Sequence, residues 1–216
     1  MPIQRLIVLG DGAFAEEVAD LIGDIGGYEI VGFARNVPPF APAARLLGKP
    51  VLSPREMKPY AGDCLAVTAI GSPKREGFIT EATALGFRFA TLIHPLARVS
   101  RTATIGTGCL IGPGAQVSAH SVLVGHALVN RGVLIGHHVR IEEYVTLSPG
   151  ANLAGNVHIE RGAYVGMGAI VLDQRRVGPH ATVGAGAVVT RDVEAGATVV
   201  GIPARPRTTG EGSTNG

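Results

Sequence analysis

Leu134-Ile135-Gly136-His137-His138-Val139-Arg140-Ile141-Glu142-Glu143-Tyr144-Val145-Thr146-Leu147-Ser148-Pro149-Gly150-Ala151-Asn152-Leu153-Ala154-Gly155 carries an aliphatic residue at every sixth place from Ile135. The beat runs on in both directions without a slip. Ile93, Val99, Ile105, Ile111, Val117, Leu123 and Val129 precede it, and Ile159, Val165, Val171, Val177, Val183 and Val189 follow. Four places after each aliphatic stands a small or slim residue, as at Ala97, Cys109, Ala115, Ser121, Val139, Ala151 and Ala163. A period of six fits neither a helix, at 3.6, nor an alternating strand, at 2. It fits a β-helix of hexapeptide repeats, each unit a short strand and a corner. Three units close a triangular coil, so positions three units apart stack at about 4.8 Å, the strand spacing. Each inward aliphatic contributes on the order of 1.5–3 kcal/mol when fully buried. No coil buries its own faces alone, so stability comes from stacked neighbours and function belongs on corners and edges.

The bulk numbers exclude several classes. With 216 residues, the chain suffices for one large or two small domains. A net charge of +2 without a Lys/Arg run gives no footprint for nucleic acid. Thirty-one glycines and no Trp suit repeated tight corners. Ile3-Gln4-Arg5-Leu6-Ile7-Val8-Leu9 is too short for a leader and runs into glycines. No apolar run approaches the roughly 18 residues of a membrane span. Cys64 and Cys109 stand far apart, so a reducing cytoplasm is expected.

Residues 1–92 lack the beat and read as a small α/β domain with a parallel, Rossmann-like sheet. Strands are expected at Arg5 to Leu9, Tyr28 to Ala34 and Cys64 to Ile70, and helices at Glu16 to Ile25 and Lys74 to Leu85. Residues 93–206 form the β-helix, and 207–216, rich in Gly, Thr and Ser, read as a disordered tail. Gly10-x-Gly12-x-x-Ala15 lies between a strand and a helix, a context in which amides receive a phosphate or simply make a tight turn. The acidic residue of NAD-binding domains is absent; Ala34-Arg35-Asn36 stand there. Gly71-Ser72-Pro73 ends the third strand, where such sheets bind ligands.

The eighteen-residue lap puts the corner residue His137 in the column of Gly155. An imidazole beside a backbone amide without a side chain suits acyl transfer: the ring takes a proton and the N–H meets the developing oxyanion. His120 falls in the column of His138. His120, His126, His138 and His180 share one hexad position, which invites a zinc reading. The His-x4-His spacing of the hexapeptide-fold carbonic anhydrase is absent, so no metal is expected. Arg175 breaks the small-residue rule, through a bulged corner or as a phosphate contact.

Ile135-Gly136-His137, Asn130, Ser148-Pro149-Gly150-Ala151-Asn152-Leu153-Ala154-Gly155-Asn156-Val157 and Val200-Gly201-Ile202-Pro203-Ala204-Arg205 resemble the sialic acid O-acetyltransferase and bacillosamine/perosamine N-acetyltransferase family. Leu9 to Val18 and Leu92-Ile93-His94-Pro95 carry the resemblance into the first domain. It implies a left-handed parallel β-helix, acetyl-CoA as donor, a nucleotide-linked amino sugar as acceptor, and a homotrimer with sites between neighbouring β-helices. By the same match, His137 is the general base, with Asn130 and His138 beside it and the Gly155 N–H facing the thioester carbonyl. Thr146, Met167, Ala185 and Gly155 line the CoA groove. Gly12, Ala13 and Phe14 hold the nucleotide diphosphate, near Arg35, Asn36, Gly71 and Ser72. Three departures stand out. His138 replaces the acidic residue that often follows the base, Arg35-Asn36 replace a commonly acidic pair, and Thr146 stands where bacillosamine enzymes carry His. Two competing readings are an O-acetyltransferase acting on a sugar hydroxyl and a non-catalytic or metal-binding β-helix scaffold.

Overall fold

The structure is a computed structural model that describes residues 3–39 and 43–207. The expected tail from 208 and part of the Pro-rich loop, at 40–42, lie outside the described residues. The first unit is built on strand β1 (Gln4–Leu9), whose four buried residues Leu6 to Leu9 form the centre of a six-stranded sheet. Helix α1 (Ala13–Ile25) follows, capped by Gly12, and buries Ala15, Val18, Leu21 and Ile22. Strand β1 is flanked in parallel by β2 (Tyr28–Ala34) on one side and by β5 (Cys64–Thr68) on the other. Between them lie an antiparallel pair, β3 (Arg45–Leu46) and β4 (Lys49–Leu52), and the short helix α2 (Pro54–Met57). Helix α3 (Arg75–Ala84) and β6 (Arg88–Phe89) complete the order β3-β4-β2-β1-β5-β6.

The chain then winds into a left-handed parallel β-helix of two-residue strands in three sheets. Register pairs each residue with the one eighteen further on: Leu110 with Leu128, Ile135 with Leu153, His158 with Arg176. The aliphatic column fills the prism, with Ile111, Leu123, Ile135, Ile141, Leu147 and Val165 all buried. The slim column is buried beside it, from Cys109 and Ala115 to Ala187, except at the half-buried Arg175. At the first coil the column opens: Ile93 is exposed, and Val99 and Ile105 only pack partly against the core. At the other end the lap shortens. Val177 bridges Val193 and Val183 pairs with Val199, sixteen residues on, before Val200 turns antiparallel onto Arg205.

Every corner from Gly108 to Gly186 turns through a left-handed residue three places after the aliphatic one. Glycine takes many of these places, and His120, His126, His138, Tyr144, Asn156, Gln174 and His180 take the rest at φ 50–60°. His and Asn are among the side chains that tolerate this region best. The shared hexad position of the four histidines is therefore a backbone requirement. Among the described residues, no group of three His, Cys, Asp or Glu side chains is disposed to hold a metal ion.

The three faces differ. One carries Leu92, Leu110 and Leu128 outward, in a single column, against Ala15, Val18 and Leu21 of α1. Below that apolar column, Arg75 of α3 fixes the first unit to the β-helix. It is 1% exposed and faces no carboxylate among the described residues. Its guanidinium donates to the carbonyls of Ser72, His126 and Val145 and to Thr146 Oγ1. Burial pulls its pKa down to about 10, so it stays charged at neutral pH. The second face presents Leu134 and Ile170 to solvent, and the third a ladder of Arg140–Glu142–His158 and Arg176–Glu160 contacts. Arg175 does not bulge the corner, because His158 still pairs with Arg176. Its Nε donates to the Asp173 carbonyl, and its Nη1 lies 3.9 Å from Asp192.

Candidate active site

Two cavities flank the N-terminus of α1. The first, about 420 Å³, opens over the carboxyl ends of β1, β2 and β5 and is lined by Gly10, Asp11, Gly12, Arg35, Asn36, Ile70 and Phe78. It lies where the chain, having built one side of β1, crosses to the other, the switch point at which such sheets bind ligands. Gly10, at φ 127°, allows the approach, since a Cβ there would meet the Ala69 carbonyl oxygen at 2.7 Å. Arg35 closes the rim by an ion pair with Asp11 (Nη2 to Oδ2, 2.5 Å), and Asn36 donates to Glu81 at 3.3 Å. No side chain caps α1 at Gly12, and a Cβ there would meet nothing within 4 Å. The first-turn amides are thus available to an anion.

The second cavity, about 410 Å³, lies between the first unit and the β-helix. Phe14, Gly71 and Ser72 line one side, and Asn130, Arg131, Thr146, Ser148, Pro149, Tyr164 and Met167 the other. The structure thus divides the residues expected around one nucleotide. Gly12, Arg35 and Asn36 border the first cavity, Phe14, Gly71 and Ser72 the second, and Ala13 stands exposed between them on α1.

His137 and Gly155 are neighbours. A Cβ built on Gly155 would lie 2.6 Å from His137 Cε1 and 2.7 Å from Nε2, so only glycine leaves room for the ring. Among the described residues the Gly155 N–H donates to no backbone carbonyl, while its carbonyl accepts from Gln174 at 3.0 Å. His137 Nδ1, 3.2 Å from the same Cβ position, is 3.1 Å from His138 Nδ1.

Two expected placements differ. Within one chain Asn130 does not reach His137: it follows the strand Leu128–Val129 at the corner between the covered and second faces, whereas His137 turns the corner between the second and charged faces. Thr146 borders the second cavity but is turned into the junction between the units. It is 1% exposed, accepts from Arg75 at 2.6 Å and donates to the Gly71 carbonyl at 3.2 Å. A threonine, small enough to be roofed over, becomes part of the clamp between the units. Met167 and Ala185 do share one corner column with Pro149, and Met167 is exposed. Cys109 is unpaired and buried, and desolvation pushes its thiol up to about 11, which removes it as a nucleophile.

Arg75 was not legible as a functional residue; a lone arginine opening a helix gives no local signal. The leucine column at 92, 110 and 128 was the available sign of a covered face.

A hexapeptide β-helix with an imidazole over a bare glycine at one corner, joined to a nucleotide-type α/β unit, defines a hexapeptide-repeat acyltransferase. The solved structures agree. The acetyltransferase domain of PglB from Neisseria gonorrhoeae is 34% identical over 94% of this chain and 100% of that one, with a TM-score of 0.86. The same domain in complex with acetyl coenzyme A gives 35% identity, 94% and 99% coverage and a TM-score of 0.86. A variant of perosamine N-acetyltransferase from Caulobacter crescentus, with CoA and GDP-perosamine, is 27% identical over 95% of this chain and 98% of that one, at a TM-score of 0.87. No protein-family model and no curated protein matches the chain. The chain belongs to the bacillosamine/perosamine N-acetyltransferase family of hexapeptide-repeat sugar acyltransferases. It is an acetyltransferase.

Proposed function

We propose that this enzyme transfers the acetyl group of acetyl-CoA to the amino group of a nucleotide-linked amino sugar, with His137 as general base. The observation that carries this is the His137 ring lying over Gly155. The complexes of its relatives with acetyl-CoA, CoA and GDP-perosamine support donor and acceptor. The two cavities suit such an acceptor: the nucleoside takes the first, the diphosphate the α1 amides of Gly12 to Phe14, and the amino sugar the second. The donor runs along the corner column of Met167 and Ala185. His137 Nε2 accepts the proton as the amine nitrogen bonds the carbonyl carbon. The Gly155 N–H stabilises the oxyanion, the carbon–sulfur bond breaks, and His137 returns the proton to the departing sulfur.

The site is complete only between chains. The acceptor cavity and His137 lie at different corners of one prism, and Leu134 and Ile170 are 39% and 38% exposed on the face between them. A cyclic trimer packed through that face brings His137 of one chain to the acceptor cavity of the next. Unpaired cysteines, and no helix among the described residues long and apolar enough to cross a membrane, are in keeping with a cytoplasmic enzyme.

The test is acetyl-CoA consumption with UDP- and GDP-linked 4-amino sugars, alongside free sialic acid as the hydroxyl acceptor. Turnover on an amino sugar, lost by about 10²–10⁴-fold in His137→Asn, is expected. Turnover on sialic acid alone, or wild-type rates in His137→Asn, overturns the reading. The O-acetyl and scaffold alternatives find no support among these relatives.

A further inference from the structure

We propose that His138 replaces a carboxylate as the partner of the base, so that His137 and His138 work as an imidazole pair sharing one proton. The proposal rests on His137 being the base. Two ring nitrogens 3.1 Å apart, His137 Nδ1 and His138 Nδ1, form a hydrogen bond only if one carries the hydrogen and the other a lone pair. The rings stand at 83° with centroids 5.3 Å apart, so the contact is edge-on rather than stacked.

The tautomers follow from the chemistry. The Cε1–Nε2 edge of His137 faces Gly155. Nε2 needs a lone pair to take the acceptor's proton, so Nδ1 carries the hydrogen and donates it to His138 Nδ1. His138 then keeps its own hydrogen on Nε2.

The backbone fixes the partner in place. His138 sits at the left-handed corner position, φ 56°, and its N–H donates to the Ala119 carbonyl at 2.9 Å. Its ring leans on His120 of the preceding coil, centroids 4.9 Å apart and planes at 36°. The next coil offers only Gly155 and Asn156, both uncharged, and Asp173 one coil beyond accepts from Gln174. Arg140, two residues on, is held by Glu142 at 2.5 Å. Among the described residues, no carboxylate pairs with His120, His137 or His138.

When His137 takes the acceptor's proton, the positive charge spreads over two rings and no ion pair forms. A carboxylate would hold that imidazolium more strongly and raise its pKa. A second proton on the pair would bring two N–H groups head to head, with His120 adjacent. His138 is therefore a positioning residue that fixes the tautomer and orientation of the base without an ion pair.

Two variants and a pH profile test this. His138→Gly suits the corner, as Gly108 and Gly114 do at equivalent places, and removes the ring. It is expected to lower kcat at least about tenfold, with the acceptor KM little changed. His138→Asp, which also tolerates a left-handed corner, is expected to restore turnover at high pH. It should move the acid limb of kcat/KM up by about one pH unit or more. Wild-type kcat in His138→Gly, or an acid limb in His138→Asp superimposed on the wild type, overturns the proposal. His137→Asn in the same series separates the two readings: if it turns over normally, the base assignment fails whatever His138 does.

Discussion

Gly155 shows how much one missing side chain decides. The ring of His137 occupies the volume a Cβ would need, with Cε1 and Nε2 within 2.7 Å of it. Gly155→Ala must push the imidazole aside without touching the aliphatic column beneath. Turnover is expected to fall by about 10²-fold, the cost of a misplacement near 1 Å, while thermal stability stays close to wild type. Steady-state kinetics beside a melting curve checks both halves. This pairing was readable in the sequence because the eighteen-residue lap is strict on both sides of it. Asn130 was not readable in the same way. Its closeness to His137 in sequence hides the intervening face, and only the order of corners shows that the two residues of one chain cannot meet.

At the scale of elements, period alone identified the prism, and alternation of strand and helix identified the sheet. The edges were less visible. The pair β3 and β4 and the two-residue β6 are held by tertiary pairing and have no run of their own to announce them, whereas the one-turn helix α2 carries a local signal, the Ser53–Glu56 capping box. The helix α1 begins at Ala13 rather than Glu16, because the glycine loop itself supplies the cap. The tie between α3 and the β-helix is the clearest case of a contact without a sequence signal. Arg75 satisfies the carbonyls of Ser72, His126 and Val145, the last two from successive coils of one prism edge, and one hydroxyl. Arg75→Met keeps the length and removes the donors, leaving buried acceptors unpaired. It is expected to destabilise the fold by about 3 kcal/mol, hydrogen bonds to a charged group being worth about 1.5–3 each and partly replaced by water. It should also raise the acceptor KM, since Gly71 and Ser72 lose their anchor. Denaturant melts and acceptor saturation curves read the two effects separately.

For the whole molecule, the faces of the prism differ: one is covered by the α/β unit, one is ion-paired and solvated, and one exposes Leu134 and Ile170 between the polar Arg98, Gln116 and Asn152. In the proposed trimer, the face that exposes Leu134 and Ile170 is the seam between chains. Replacing Leu134 and Ile170 together by Arg is expected to give monomers that keep the β-helix but lose turnover by more than about 10²-fold, the lower bound for loss of the base. Sedimentation and circular dichroism test association and fold independently. Monomers with full activity would show that one chain suffices.

The shortened final lap has a consequence of another kind. A stack of parallel strands offers its last rung as a template, and an uninterrupted six-residue beat would leave that rung flat and ready for a stranger's backbone. Here the spiral tightens by two residues, and Arg205–Pro206 folds back antiparallel across Val199 and Val200, with a proline that has no N–H to give. The solenoid thus carries its own stopper at this end, and fibre growth by end-on addition is blocked there by the fold itself.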